Sequence, residues 1–342
     1  MKLRILLFCV LTLLATSASA QGTYATIPTG TDLYQYFMEN PVPMQQDMTW
    51  YDLEAGGTYS ISYTLDFEGA KVGIRSSESN RPTVTLSEEG QLKSGNAFCV
   101  ENVNFECAQS TKAFFQLSNT PGVEPDASLN NHYIITEPIA FTNCDIINVQ
   151  SYLIYDGGAG GLKYCLKDVI FDRCLVKLAS GEKMANSGSS IISMYNAGGF
   201  INDLTLQGST FWNSTSNDAN YFIRYNNAGR CDRAGFATNS VNIINCTFYN
   251  ICKTTQMANY TGFQGKATSI FDIRKNIFVN CGNKQVARRF LGSTTSNSNI
   301  LFDLNTYWYD GESNDGAGYD RCRRRQYEGE YSAIKEDEKT TI

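Results

Sequence analysis

Three segments end an apolar run in tyrosine, follow it with aspartate or asparagine, and turn at glycine: YLIYDGGAGG (152–161), IISMYNAGGF (191–200) and YFIRYNNAGR (221–230). They put Tyr155-Asp156, Tyr195-Asn196 and Tyr225-Asn226 at matching places, with one cation, Arg224, on the run into the third pair. A tyrosine offers a sugar an apolar face and a polar tip. A carboxylate such as Asp156 can move a proton, and an arginine such as Arg224 can clamp an acidic group or, with its pKa depressed, act as a base. The alternative is structural: stacked polar groups in turns satisfy backbone donors that burial would otherwise orphan, and Arg224 is then a framework cation.

Other chemistry-bearing groups are sparse. The single histidine, His132 in NNHYI, reads as a loop residue. Hydrolysis of a glycosidic bond needs two facing carboxylates, and Asp145 and Asp172 come near one another in the repeat described next, at non-equivalent positions. No cysteine pair has the CxxC spacing of a metal site and no dense aspartate cluster marks a calcium site. No metal or cofactor is expected, calcium entering only with lyase chemistry.

What must position these groups is a repeat. Seven segments align by their apolar positions: VENVNF (100–105), FTNCDI (141–146), FDRCLV (171–176), LQGSTF (206–211), IINCTF (243–248), IRKNIF (273–278) and FDLNTY (302–307). Their first residues are 41, 30, 35, 37, 30 and 29 apart. Position one is apolar. Position four is mostly compact or polar: Val103, Cys144, Cys174, Ser209, Cys246, Asn276, Asn305. Position six is again apolar, from Phe105 and Ile146 to Phe278 and Tyr307. Positions four and six obey the two-residue strand period but one and four do not, so the chain must bend or bulge between them if both face inward. Strand, corner and strand, repeated about every thirty residues or more, make one turn of an all-β solenoid whose neighbouring coils pair as parallel strands about 4.8 Å apart.

Two consequences follow from stacking equal positions. Cys144, Cys174 and Cys246 share position four and are expected inside as free thiols, with a Cys144–Cys174 bridge as the alternative if their coils are adjacent. Position seven must point outward where position six points inward, and it reads Glu106, Ile147, Lys177, Trp212, Tyr249, Val279, Trp308. Trp212 and Tyr249 then lie on adjacent coils, with Trp308 two coils further on. Such rings either stack against sugars or are covered by loops as a satellite core.

With these rungs, the opening YDLEAGGTYSI (51–61) and the stretch NRPTVTLSEEGQLKSGNAFCVENVNF (80–105), the chain resembles the right-handed parallel β-helix proteins of the pectin-lyase-like superfamily over residues 51–310. More narrowly it looks like secreted Bacteroides-type proteins of that fold whose domains have no assigned function, many of them encoded beside polysaccharide-degradation genes. The resemblance implies a right-handed, single-stranded β-helix and a polysaccharide or oligosaccharide as partner. It does not supply an active site. The Gly-His-Gly setting of polygalacturonase-like members does not match NNHYI, and the arginine and proline signature of the lyases is absent.

The flanks complete the organisation. Lys2 and Arg4 precede an apolar run ending in Ala18-Ser19-Ala20, which reads as a signal peptide over residues 1–20 and places the mature chain in the periplasm, at the cell surface or outside the cell. Residues 21–50 form an N-terminal cap, with TDLYQYFMEN (31–40) as a short helix capped by Thr31 or Asp32 and ended by Pro41. Residues 311–342 lack the rung pattern and form a charged tail, disordered or truncated. The whole chain has 28 basic and 34 acidic residues; removing the two basic residues of the signal leaves 26 minus 34, or −8, which argues against a nucleic-acid partner. No later segment is long and apolar enough to span a bilayer. The first expectation is a secreted, non-catalytic glycan binder. A polysaccharide lyase or glycoside hydrolase is the second, and a structural or adhesive surface protein the third; oligomeric state is open.

Overall fold

The bend that the repeat demands falls on its third residue. The computed structural model describes residues 24–129, 131–157, 161–179, 189–195, 199–225, 235–259, 268–284, 286, 290, 298–309 and 312–313. In it Asn102, Asn143, Arg173, Gly208, Asn245, Lys275 and Leu304 have φ of 59°, 52°, 53°, 57°, 55°, 59° and 54°. One left-handed residue between two extended ones turns the chain through a corner, so positions one and four both reach the interior. The interstrand ladder runs on through the corner: Asn102 N donates to Thr142 O at 3.0 Å, Arg173 N to Gln207 O at 2.8 Å and Lys275 N to Asp303 O at 3.1 Å. Glycine and asparagine adopt this conformation with little strain, whereas branched side chains do not. Leu304, 42% exposed, therefore holds a strained backbone with little packing in return. Leu304→Asn is expected to stabilise the protein by about 1 kcal/mol, seen as a higher urea midpoint; a lower midpoint would mean that the leucine packs more than its exposure indicates.

Each coil visits three sheets. One coil runs through Phe200–Gln207, the corner at Gly208, Thr210–Asn213, a turn, Tyr221–Tyr225, and on to Thr238–Ile244 of the next coil. These strands belong to an 11-stranded sheet (sheet 1), a 10-stranded sheet (sheet 2) and a 7-stranded sheet (sheet 3). Pairing within the sheets is parallel except where Glu312–Ser313 folds back on Thr306–Tyr309. The result is a right-handed parallel β-helix.

Equal repeat positions stack as the spacing requires. Position one forms the register Val100, Phe141, Phe171, Leu206, Ile243, Ile273, Phe302 on sheet 1. Position six forms Phe105, Ile146, Val176, Phe211, Phe248, Phe278, Tyr307 on sheet 2. The rings of Phe211–Phe248, Phe248–Phe278 and Phe278–Tyr307 are stacked at 5.2, 5.0 and 5.6 Å with interplanar angles of 10°, 13° and 8°.

Position four has a reason for its composition. The corner aims its N–H into the core, where a side chain of the next coil must accept it. Ser209 Oγ accepts from Cys174 N at 2.9 Å, Asn276 Oδ1 from Cys246 N at 2.8 Å and Asn305 Oδ1 from Asn276 N at 3.0 Å. Where cysteine holds the position its thiol donates to a corner carbonyl instead: Cys144 Sγ to Thr142 O at 3.3 Å, Cys174 Sγ to Phe141 O at 3.2 Å and Cys246 Sγ to Ile244 O at 3.4 Å. Cys144, Cys174 and Cys246 are buried free thiols. A hydrogen bond with Cys144, and then burial, push the Cys174 thiol far above its ordinary pKa; burial raises Cys246 to about 11.

At the N-terminal end, helix Leu33–Glu39 lays Leu33 and Phe37 on the core, and Asp32 caps it by accepting from Gln35 N at 3.2 Å. Strand Ala25–Ile27 pairs in parallel with Thr49–Leu53, so the coil stack already begins within residues 21–50. The segment 1–20 and all of 311–342 except residues 312–313 lie outside the described residues. No helix among the described residues is long and apolar enough to cross a membrane.

Candidate functional site

The outward column at position seven is in register as the repeat implies: Glu106, Ile147, Lys177, Trp212, Tyr249, Val279, Trp308. Loops do not cover its centre. Trp212 is 38% and Tyr249 41% exposed, and their rings meet edge to face at 6.4 Å and 80°. Lys177 lays its ammonium over the Trp212 ring, 5.1 Å from the centroid. Trp308 is half-buried on the last paired coil. The neighbouring outward column, position five, reads Leu175, Thr210, Thr247, Ile277, Thr306. Short hydroxyls therefore flank the two exposed rings.

The tyrosine pairs do not form one column. Inward isoleucines set the register of sheet 3, Ile154 against Ile192 and Ile192 against Ile223. Tyr155 thereby pairs with Ser193, Ser193 with Arg224, and Met194 with Tyr225. Tyr155 and Tyr195 share the outer face two residues apart, while Tyr225 is offset by one and turns wholly inward, because a one-residue slip reverses the face. Asp156 is also withdrawn, at 2% exposure, rather than lining an outer cleft. Asn196 and Asn226 lie outside the described residues. Arg224 lies on the outer face of the strand that runs into the third pair: its guanidinium carbon lies 3.5 Å from the Tyr195 ring centroid and 5.1 Å from that of Tyr221. Beside it Tyr152 and Tyr155 stack at 4.2 Å and 8°, and burial raises the Tyr152 phenol above its ordinary pKa. The cluster is a packed cation–aromatic patch rather than an acidic cleft.

The other sequence candidates resolve structurally. His132 heads strand His132–Ile135 and is fully buried, its Nδ1 2.8 Å from Leu129 O and its ring edge-on to Phe200 at 5.8 Å. It is not a loop residue. Asp145 receives both arms of Arg81, at 3.1 and 2.9 Å, and Asp172 receives Arg173 Nε at 3.1 Å. These two carboxylates serve separate ion pairs on different sheets.

One cluster was not picked out in the sequence. On the outer face of sheet 1, Asp168 pairs in register with Asp203, and Asp203 with Ser240. Asp203 accepts from Lys167 Nζ, from Ser240 Oγ at 2.7 Å and from Asn202 Nδ2 at 2.9 Å. Lys167 also lies 3.8 Å from Asp168. Burial raises the Asp168 carboxyl pKa, with Lys167 opposing it. Burial works against the Lys167 charge, but its bond to Asp203 prevails and holds its pKa above the ordinary value. The signal was available: Asp168, Asp203 and Ser240 each stand three residues before position one, so extending the repeat upstream aligns them.

A protein family described as a domain of unknown function (DUF4957) matches residues 57–214. Neither the curated proteins nor the solved structures compared with the chain gave a match.

Proposed function

We propose that the protein is an exported glycan-binding β-helix that holds its ligand on the outer face of sheet 2 without turning it over. The observation that carries this is the pair of exposed rings, Trp212 and Tyr249, in register on adjacent coils and flanked by Thr210 and Thr247. Aromatic faces bordered by hydroxyls suit the apolar faces and polar rims of sugar rings. The resemblance to pectin-lyase-like and secreted, polysaccharide-associated β-helices points the same way, and export through residues 1–20 would bring the chain to such polymers. Trp212→Ala is expected to weaken retention on a glycan that holds the native protein by roughly tenfold to a hundredfold, the loss of about 1.5–3 kcal/mol of apolar burial. Affinity electrophoresis through soluble plant and host glycans and depletion by insoluble ones read this. Unchanged behaviour of the variant with every glycan that retains the native protein rules the site out.

A hydrolytic reading rests on Lys167, Asp168 and Asp203. The two carboxylates occupy adjacent coils in unlike surroundings, which is how an acid is distinguished from its partner, and Asn202 Oδ1 is buried there with no hydrogen-bond partner among the described residues. A protonated Asp168 would be the acid, so activity should fall as pH rises through its raised pKa. Release of reducing ends that is abolished in Asp168→Asn would establish this reading. No release from any glycan bound by the native protein would remove it.

A further inference from the structure

Resting on the glycan-binding reading, we infer that the ligand is the surface of an uncharged, insoluble polysaccharide rather than a soluble acidic chain. The chain as a whole is acidic, with a net charge of −6, yet its charges are unevenly placed. In the two outward columns of sheet 2 from Leu175–Leu178 to Thr306–Tyr309, Lys177 is the only charged residue among the described residues. That ammonium is already engaged over the Trp212 ring. The same coils carry Asp168, Asp172, Asp203 and Asp272 on sheet 1, paired there with Lys167, Arg173 and Arg274. An anionic polymer would find no free cationic track on sheet 2, and a polar, mobile chain would gain little from the exposed apolar side chains there. Ile277, on the coil between those of Tyr249 and Trp308 and in the neighbouring outward column, is 43% exposed.

Shape points to the same ligand. From Leu175–Leu178 to Thr306–Tyr309 the strands of sheet 2 pair in parallel with no register shift, so their outer residues stand in two straight, regular rows. Along each row the residues repeat about every 4.8 Å. A regular face with little charge and a short repeat matches a regular, uncharged solid and matches a flexible single chain poorly, because the latter must lose its conformational freedom on binding.

The test is depletion of the full chain from solution by microcrystalline cellulose, chitin and insoluble β-glucan, beside soluble polygalacturonate and soluble neutral oligosaccharides. The expected result is retention on at least one of the solids that does not weaken as sodium chloride is raised, since no ion pair is screened. Tyr249→Ala and Ile277→Lys should each reduce that retention about tenfold or more; both positions are exposed, and unchanged circular dichroism checks the fold. Salt-sensitive, Trp212-dependent binding to polygalacturonate alone would overturn this inference while leaving glycan binding intact. Binding nowhere that depends on Trp212 would overturn both. A native dimer that Ile277→Lys converts to monomer, with no retention on any solid, would show the face to be a contact between two copies and would also overturn it.

Discussion

Phe248→Ala should lower the free energy of unfolding by about 3–5 kcal/mol, the range for removing a large aromatic from a packed core. Phe248 is fully buried, stacked between Phe211 at 5.2 Å and Phe278 at 5.0 Å, and crossed edge-on by Phe222 at 5.3 Å. The hole cannot close easily, because the rings above and below are held at the strand spacing by their own ladders. Coils in a solenoid contact only their neighbours, so the damage should be local: the coils beyond Phe248 lose their seat on the rest of the stack, and the denaturant transition should broaden or split. Equilibrium urea unfolding followed by circular dichroism measures both effects. A loss below about 1 kcal/mol would mean that the stack does not carry the core.

Asn276→Ala should cost about 3 kcal/mol, through a different mechanism. Asn276 is fully buried; it accepts from Cys246 N at 2.8 Å and donates to Ile243 O at 2.7 Å and Asn305 Oδ1 at 3.0 Å. Alanine leaves the corner amide of Cys246 with no acceptor inside the core, and each orphaned buried group costs roughly 1–3 kcal/mol. Asn276→Ser should lose distinctly less, since Ser209 already accepts the Cys174 amide with a hydroxyl in the equivalent place. If serine proves as damaging as alanine, the position-four ladder is not what holds the corners.

The solenoid was legible because its inward residues recur with a fixed internal spacing. Positions one, four and six could be aligned by type alone, and the mismatch between one and four required a corner that the structure supplies with one left-handed residue per coil. The outward column at position seven followed from strand alternation, and its exposure did not: burial of Trp212 or Tyr249 depended on loops whose paths the sequence leaves open. The tyrosine ladder failed for a definite reason. Matching Tyr155, Tyr195 and Tyr225 by residue type ignored Ile154, Ile192 and Ile223, which fix the register; the tyrosines follow those isoleucines by one, three and two residues, so the third reverses its face. His132 was not legible as a strand residue because its strand lies outside the seven repeats and is held by pairing with Lys163 and its neighbours and by a bridge to Asp126. The Lys167–Asp168–Asp203 cluster lies upstream of position one, outside the six-residue rung that the apolar spacing defines.

The most direct test of glycan binding on sheet 2 uses the tryptophans as reporters. Trp212 and Trp308 lie on the proposed face, whereas Trp50 is 9% exposed beside Arg75 on sheet 1. Tryptophan emission is titrated with a glycan that retains the native protein, in the native chain and in the Trp212→Phe and Trp50→Phe variants. The expected result is a saturable emission change that persists in Trp50→Phe and is largely lost in Trp212→Phe. An emission change that survives in Trp212→Phe and vanishes in Trp50→Phe would place the ligand elsewhere and contradict the assignment of sheet 2 as the binding face.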